Sequence, residues 1–336
     1  MDSRKLARAR ARARLQHAVR AFFEARDYDE VETPCLVPAP GMEPHISCFE
    51  APFAPEGGGA PRPLWLHSSP EYAMKRLLAD GFQRIFQLAR VFRNGEVSAT
   101  HNPEFTMLEF YRAGADHLAI MEELELLVEA AARALTGGTR IARGGVEVDL
   151  AAPFERLTVA EAFSRRAGLD LDGCGEDAER LRAAALARGL PVGPEGEPFD
   201  DLFFRLFLDR VEPGLGAPRP VYLADWPARM AALARLSPDG RHAQRFELYV
   251  AGLELANGFH ELNDAAEQRR RLEEERELRI RLGRPAHPID ERFLDAVGRM
   301  PDAGGVAVGL DRLLMLLTGA GSIEEVLLFP AHAFLG

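Results

Sequence analysis

Glu109 lies between Leu108 and Phe110 in a run, Glu104 to Arg112, where period-two geometry puts Phe105, Met107, Glu109 and Tyr111 on one face. Thr106, Leu108 and Phe110 take the other face. Burying an unpaired carboxylate costs on the order of several kcal/mol, so Glu109 calls for a cation, either an internal salt bridge or a bound amino group. If a second hairpin, Arg245 to Glu261, turns at Ala251-Gly252, then Val250 faces Leu253, Tyr249 faces Glu254 and Glu247 faces Ala256. That makes Glu247 and Glu254 diagonal neighbours. Their repulsion is relieved by arginines or by a divalent cation such as Mg²⁺ shared with substrate phosphates; a solvated, exposed hairpin face is the alternative. Arg93 closes a leading strand, and Arg312 follows Gly309 into the first turn of a helix, a position that favours anions. Both arginines suit a polyphosphate, although Gly305 to Gly309 is no dinucleotide fingerprint.

These residues need elements to hold them. Ser3 to Arg26 reads as one long helix with Leu6, Val19, Phe22 and Phe23 on a partial apolar stripe, followed by an extended Glu30 to Leu36. Pro34 cannot donate to a ladder and belongs on a sheet edge or at an interface. Val37 to Pro63 predicts irregular loops with one short strand, Leu64 to His67 a strand, and Pro70 to Ala79 a helix with proline in its first turn. Arg84 to Phe92 and Glu104 to Arg112 form a hairpin around Asn94-Gly95. His117 to Leu135 is an amphipathic helix, and Thr158 to Val211 reads as short helices broken at Asp170 to Gly175 and Gly189 to Pro198, a helical insertion at about 155–215. Asp264 to Leu282, rich in both charges, is expected as a surface helix. Gly305 to Gly309 is a short strand running into the helix Leu310 to Leu317. The whole predicts an α+β fold, a mostly antiparallel sheet flanked by helices.

Composition bounds the function. The 336 residues are long enough for about two average domains, and 47% are hydrophobic. Against 41 Lys and Arg stand 52 Asp and Glu, a net charge of −11, which disfavours a broad grip on nucleic acid, tRNA included. The richest apolar stretch, Leu310 to Thr318, is interrupted by Asp311 and Arg312 and is far short of a membrane span. Arg8, Arg10, Arg12 and Arg14 alternate with alanine and leave no apolar signal core, so a cytoplasmic protein is expected. These arginines read as a solvated helix face, with contact to an acidic partner as the alternative. Cys35, Cys48 and Cys174 lack pairing or zinc spacing and are expected as structural thiols. His101, His242, His260 and His287 show no metal-ligand spacing.

Taken together, Val31-Glu-Thr-Pro34 after a long helix, Phe92-Arg93 before a loop and strand, and Gly305-Val-Ala-Val-Gly309-Leu-Asp-Arg312 resemble the three signature motifs of class II aminoacyl-tRNA synthetases. Thr100 to Thr106, Glu109-Phe-Tyr111, Phe246-Glu-Leu248 and Glu254 to Asn263 resemble its lysyl branch. The first motif begins by about Leu15, leaving no room for the N-terminal anticodon-binding barrel of tRNA-charging lysyl enzymes. With Ser69 to Arg76 and Met107 to Arg112, the chain then resembles the elongation factor P lysine ligases.

The resemblance implies one class II catalytic domain over 1–336, which activates (R)-β-lysine or lysine with ATP and Mg²⁺ and transfers it to a lysine side chain of elongation factor P. It implies an ATP site of Arg93, Glu96, Asn102, Phe105, Glu247, Leu248, Gly309 and Arg312, with Arg93 and Arg312 catalytic and Phe105 stacked on adenine. Ser69, Pro70, Glu71, Glu109, Tyr111, Glu254, Glu261 and Ala307 would hold the amino acid, and Glu247 with Glu254 the Mg²⁺. It also implies a homodimer through the first motif. The family places glutamate two residues after the motif arginine, where this chain has Gly95, so a one-residue loop shift is needed to bring Glu96 to ATP. TRNA-charging relatives carry glycine where this chain has Ala307, whose methyl would reshape the pocket floor toward a β-amino acid. The competing readings are a tRNA-charging or adenylate-releasing enzyme and a non-catalytic regulator that binds an amino acid or nucleotide.

Overall fold

The computed structural model describes residues 3–335. In chain order it runs α1 (Ser3–Glu24), β1 (Asp29–Glu30), β2 (Leu36–Val37), β3 (Phe49–Glu50), β4 (Trp65–Leu66), α2 (Glu71–Ala79), β5 (Arg84–Phe92), β6 (Glu104–Ala113) and α3 (His117–Thr136). A small hairpin, β7 (Arg140–Arg143) and β8 (Val146–Asp149), leads to β9 (Glu155–Thr158) and to α4 (Val159–Ala167), α5 (Leu171–Cys174), α6 (Ala178–Leu186) and α7 (Phe199–Leu206). Then come β10 (Val221–Pro227), β11 (His242–Val250), β12 (Leu253–His260), α8 (Ala265–Arg281), α9 (Glu291–Val297), β13 (Ala303–Gly309), α10 (Leu310–Thr318) and α11 (His332–Leu335).

The main sheet has eight strands in the order β1-β5-β6-β13-β12-β11-β10-β9, parallel only at its two ends and antiparallel between. Strand alternation sorts side chains between its faces. Leu108 and Phe110 of β6, Phe246 and Leu248 of β11, and Val306 and Val308 of β13 join a core with α1, α3 and α10. Their neighbours Glu109, Tyr111, Glu247 and Gly305 consequently take the opposite face. α3 is well specified by its sequence. Asp116 caps it by accepting from the Ala119 N–H, Gly137 ends it at φ 80°, and Ile120, Leu124, Leu127 and Val128 bury its apolar stripe. The helical segment after β9 has its own core, which meets the sheet through Val221, Leu223 and Trp226.

The hairpin strands Arg84 to Phe92 and Glu104 to Arg112 and the long first helix match expectation. Pro34 lies exposed beyond the end of the edge strand β1 and takes no part in a ladder. Three details differ. The break expected at Asp170 to Gly175 contains a helical turn, α5, because Asp170 accepts from the Gly173 N–H and caps it. In the second hairpin the pairing shifts between Leu248 and Tyr249, so that Glu247 faces Asn257 and not Ala256; a bulge adds one residue, and Leu255 and Ala256 both turn toward the core. The α8 helix is not simply a surface element, since Gln268, Arg271, Leu272 and Arg279 are buried along one side. The strands β7 to β10 and the helix α9 were not anticipated. Among the described residues no helix is long and apolar enough to cross a membrane.

Candidate active site

The site face of the sheet opens into a cavity of about 440 Å³, lined at one end by Arg93, Asn102, Phe105, Gly309 and Arg312 and at the other by Ser69, Glu71, Tyr72 and Ala307, with Glu254 also on its wall. At the first end Arg93 leaves the end of β5 and its guanidinium lies 5.3 Å from the Phe105 ring centroid. Arg93 Nε is buried without a hydrogen-bond partner, an orphaned donor that an anionic oxygen would satisfy. Arg312, in the first turn of α10, donates to the Glu254 carbonyl at 2.7 Å and meets His101 Nε2 at 2.8 Å. Behind it, Asp311 is only 1% exposed; it pairs with Arg12 of α1 and accepts from the Thr106 N–H at 2.7 Å. Helix α1 is thereby locked to the strand and helix that carry Phe105 and Arg312. Arg8 pairs with Glu325, so two of the alternating arginines are structural clamps and not a solvated face.

Asn102 lines the cavity, but both ends of its amide are engaged: Oδ1 accepts from the Ala331 N–H and Nδ2 donates to the Glu104 carbonyl. Glu96 does not line it. Gly95 sits at φ 85°, a left-handed turn position that favours glycine, and this displaces the acid to Glu96, whose carboxylate stands 3.9 Å from Arg93. Leu248 is wholly buried on the helix side of the sheet, so its side chain does not reach the cavity.

Glu247 lies behind the wall. Arg245 Nη2 donates to one of its oxygens and the Tyr249 hydroxyl to the other, both at 2.6 Å. Burial pushes its carboxyl up to about 7, with Arg245 opposing and Glu254 adding. A cation between Glu247 and Glu254 would relieve that repulsion, but of the two only Glu254 lines the cavity, so the pair fits Mg²⁺ only if Glu247 releases Arg245 or Tyr249. Among the described residues no group of three or more potential metal ligands is found.

The end near Ser69 and Ala307 is drier. Glu109 is wholly buried; Ser69 Oγ donates to one oxygen at 2.6 Å and the Tyr111 hydroxyl to the other at 2.8 Å. Burial pushes Glu109 up to about 8, Glu71 adding to the rise while Ser69, Tyr111 and Lys75 oppose it. The nearby cation, Lys75, is committed elsewhere: its Nζ pairs with Glu71 and, at 2.6 Å, with Glu261. Burial pulls the Lys75 ammonium down, but Glu261 and Glu71 more than offset this and hold it charged. Internal salt bridges thus occupy Glu71 and Glu261 and leave Glu109 without one among the described residues. Gly305 makes this packing possible, since a Cβ there would come within 2.2 Å of the Tyr111 ring and 2.5 Å of Glu261 Oε1. Ala307 pairs across the strands with Glu109 on one side and Asn257 on the other. Pro70 starts α2 and lines a smaller neighbouring pocket instead.

Lys75 was legible as the residue four positions after Glu71 on one helix, but was missed. Glu43 and Glu275 were missed as well, and both line the cavity. For Glu275 the signal was the Gln268, Arg271, Leu272, Glu275, Arg279 spacing of a helix with one covered face.

The family of class II tRNA synthetases (D, K and N) matches residues 2–333. The chain belongs to that family. Within it, the chain is 41% identical over 321 residues to the elongation factor P--(R)-beta-lysine ligases of Salmonella paratyphi B (strain ATCC BAA-1250 / SPB7) and Salmonella schwarzengrund (strain CVM19633), covering 95% of this chain and 93% of each relative. The eight-stranded, largely antiparallel sheet with its flanking helices is the α+β core expected of a class II synthetase.

Proposed function

We propose that this chain is an ATP-dependent ligase that activates (R)-β-lysine, or lysine, as an adenylate and transfers it to a lysine side chain of elongation factor P. The observation that carries the reading is the buried Glu109, held by Ser69 and Tyr111 with no cation of its own among the described residues, behind the wall of the cavity that Ser69 shares with Arg93 and Arg312. A substrate ammonium supplies the missing charge. The near amino group meets Ser69 and Glu71, while Glu109, Tyr111 and Glu261 hold the distal one. Ala307 shapes the floor between.

Phe105 stacks on adenine, Arg93 and Arg312 take the phosphates, and Gly309 gives the nucleotide close approach to the backbone. Mg²⁺, held by Glu247 and Glu254 with phosphate oxygens, would supply further neutralisation of charge. The substrate carboxylate then attacks the α-phosphorus in line and pyrophosphate leaves, with the two arginines offsetting the charge that grows. No side chain acts as nucleophile. We further read residues 1–336 as one cytoplasmic catalytic domain with a helical insertion at about 155–215. In the same reading it is a homodimer through α1 and the Pro34 segment, a reading supported by Leu36, exposed two residues after Pro34.

Two measurements test this. ATP–pyrophosphate exchange should depend on lysine-like amino acids, with β-lysine preferred, and purified elongation factor P should gain one aminoacyl mass; exchange without modification of the factor, or charging of tRNA, would refute the acceptor. Light scattering should give twice the 37.1 kDa of one chain, and a fully active monomer at micromolar concentration would refute the dimer.

A further inference from the structure

The phosphate end and the amino-acid end use most charged groups on the cavity wall, but not Glu43 and Glu275. Glu43 comes from the loop before β3 and Glu275 from the inner side of α8, and both line the cavity that holds Ser69, Arg93 and Arg312. Glu43 Oε2 is buried with no hydrogen-bond partner. Its carboxylate folds over Gly41, where a Cβ would come within 2.2 Å of Oε2, so glycine at 41 leaves the room it needs. Of the arginines that face the pair, Arg93 belongs to the end proposed for the phosphates, and the other two are engaged elsewhere. Arg279 donates to the carbonyls of Glu43, Ile46 and Pro285, and Arg271 to Glu267 and the carbonyls of Ala232 and Ala234. Glu274 and Arg276, on either side of Glu275, are exposed, so the pair stands where the cavity meets solvent.

We propose that Glu43 and Glu275 receive a third cation, the primary ammonium of the acceptor lysine, and take its proton before transfer. The inference rests on the ligase reading above. That reading assigns the substrate's own two amino groups to Ser69, Glu71, Glu109, Tyr111 and Glu261, which leaves this acid pair without a partner. The acceptor reaches the site as a third ammonium, its pKa near 10.4 in water, and it cannot attack a carbonyl until it is neutral. Carboxylates in this position are suited to take the proton. Burial pushes Glu275 up to about 8, Glu43 and Glu71 adding and Arg271 and Arg279 opposing. Burial raises Glu43 too, with Glu71 adding and its own backbone N–H, Arg93 and Arg279 opposing.

The step balances without a further reactant. One proton passes from the ammonium to a carboxylate, and the freed nitrogen lone pair forms the C–N bond to the aminoacyl carbonyl. The bond between that carbonyl carbon and the phosphate oxygen breaks, AMP leaves with its electron pair, and the nitrogen's surplus proton passes to water. The products are an amide and AMP.

The test compares Glu43→Gln, Glu275→Gln and the double variant with the parent in two assays: β-lysine-dependent ATP–pyrophosphate exchange without acceptor, and single-turnover transfer from preformed adenylate to elongation factor P between pH 6 and 10. Exchange should stay within about threefold, and that retained activity, with an unchanged melting temperature, reports an intact fold. Transfer at pH 8.5, above the raised Glu275 carboxyl, should fall by about 30-fold or more in the double variant, as for loss of a general base, and should recover toward pH 10 as free amine accumulates. Transfer unchanged in the variants overturns the inference while leaving the ligase reading intact. Exchange and transfer falling together in a folded variant also overturns it, because the pair would then serve the amino acid. A parent enzyme that exchanges β-lysine but never modifies the factor refutes the ligase reading itself, and the inference with it.

Discussion

The two ends of the cavity handle charge in opposite ways. At the end proposed for the phosphates the cations are partly solvated and their close contacts are to neutral groups, with carboxylates farther off: Arg312 leans on the carbonyl of Glu254 and on His101, the Glu254 carboxylate being 3.7 Å away, and Arg93 lies against Phe105 with its Nε unsatisfied and the Glu96 carboxylate at 3.9 Å. At the end proposed for the amino acid the anions are dry, and the buried Lys75 serves Glu71 and Glu261 but not Glu109. Oriented arginines at an open mouth favour a polyanion that sheds charge as it reacts. A sealed acid instead favours one ligand over its near relatives, because an unmatched ligand leaves the acid unpaired.

The largest effect should come from offering the dry end a ligand without its charge. Norleucine keeps the chain of lysine and loses the distal amine, and its activation should fall on the order of 10⁴-fold below that of lysine. Norleucine-dependent exchange above background would remove Glu109 from the substrate site. At the other end, Arg93→Ala or Arg312→Ala should each lower exchange by about 100-fold or more; values within a few-fold of the parent for both would break the contrast drawn here.

A third measurement uses the raised Glu109 carboxyl, at about 8 in the empty site. Below that pH the group is protonated and must lose its proton to pair with an ammonium, so lysine affinity should weaken by about tenfold for each unit the pH falls below the inflection. Tyr111→Phe removes a donor that favours the ionised form and should move the inflection upward. Equilibrium dialysis from pH 6 to 9 checks this, and a flat profile would mean that Glu109 stays ionised without a ligand. The smallest effect concerns Ala307, directly across from Glu109. Ala307→Gly should improve α-lysine relative to β-lysine by on the order of tenfold, about 1.4 kcal/mol. An unchanged isomer ratio would reduce Ala307 to packing.

The same contrast explains what could be read before the fold was seen. Strand alternation was sufficient to put Glu109 and Tyr111 on one face, and helix N-terminus chemistry singled out Arg312, because both signals are local. The roles of Glu71 and Glu261 were only half legible: that Lys75 neutralises both depends on α2 lying against the end of β12, a contact between segments far apart in sequence. The bulge after Leu248 was invisible, since nothing in Leu253 to Ala256 announces an extra residue, and it moved Glu247 opposite Asn257. Helix α8 misled for a related reason. Its charges are so dense that the side covering the cavity, with Arg271, Glu275 and Arg279, looks no different in composition from the solvated side.

The clamp from Arg12 to Asp311 also governs the order in which the molecule is built. It joins residues 299 positions apart, the Thr106 contact to the same aspartate spans 205, and the Asn102 contact to Ala331 spans 229. Such closures carry the entropy of long loops and come late on a folding route. During synthesis, a chain that has not yet extended past Gly309 can pair β5 with β6 and pack α1 on α3, but it has nothing with which to close the phosphate end. The wall that carries Phe105 and Arg312 is therefore complete only when α10 has docked against the first helix and β6, so the proposed nucleotide site depends on the two ends of the chain meeting.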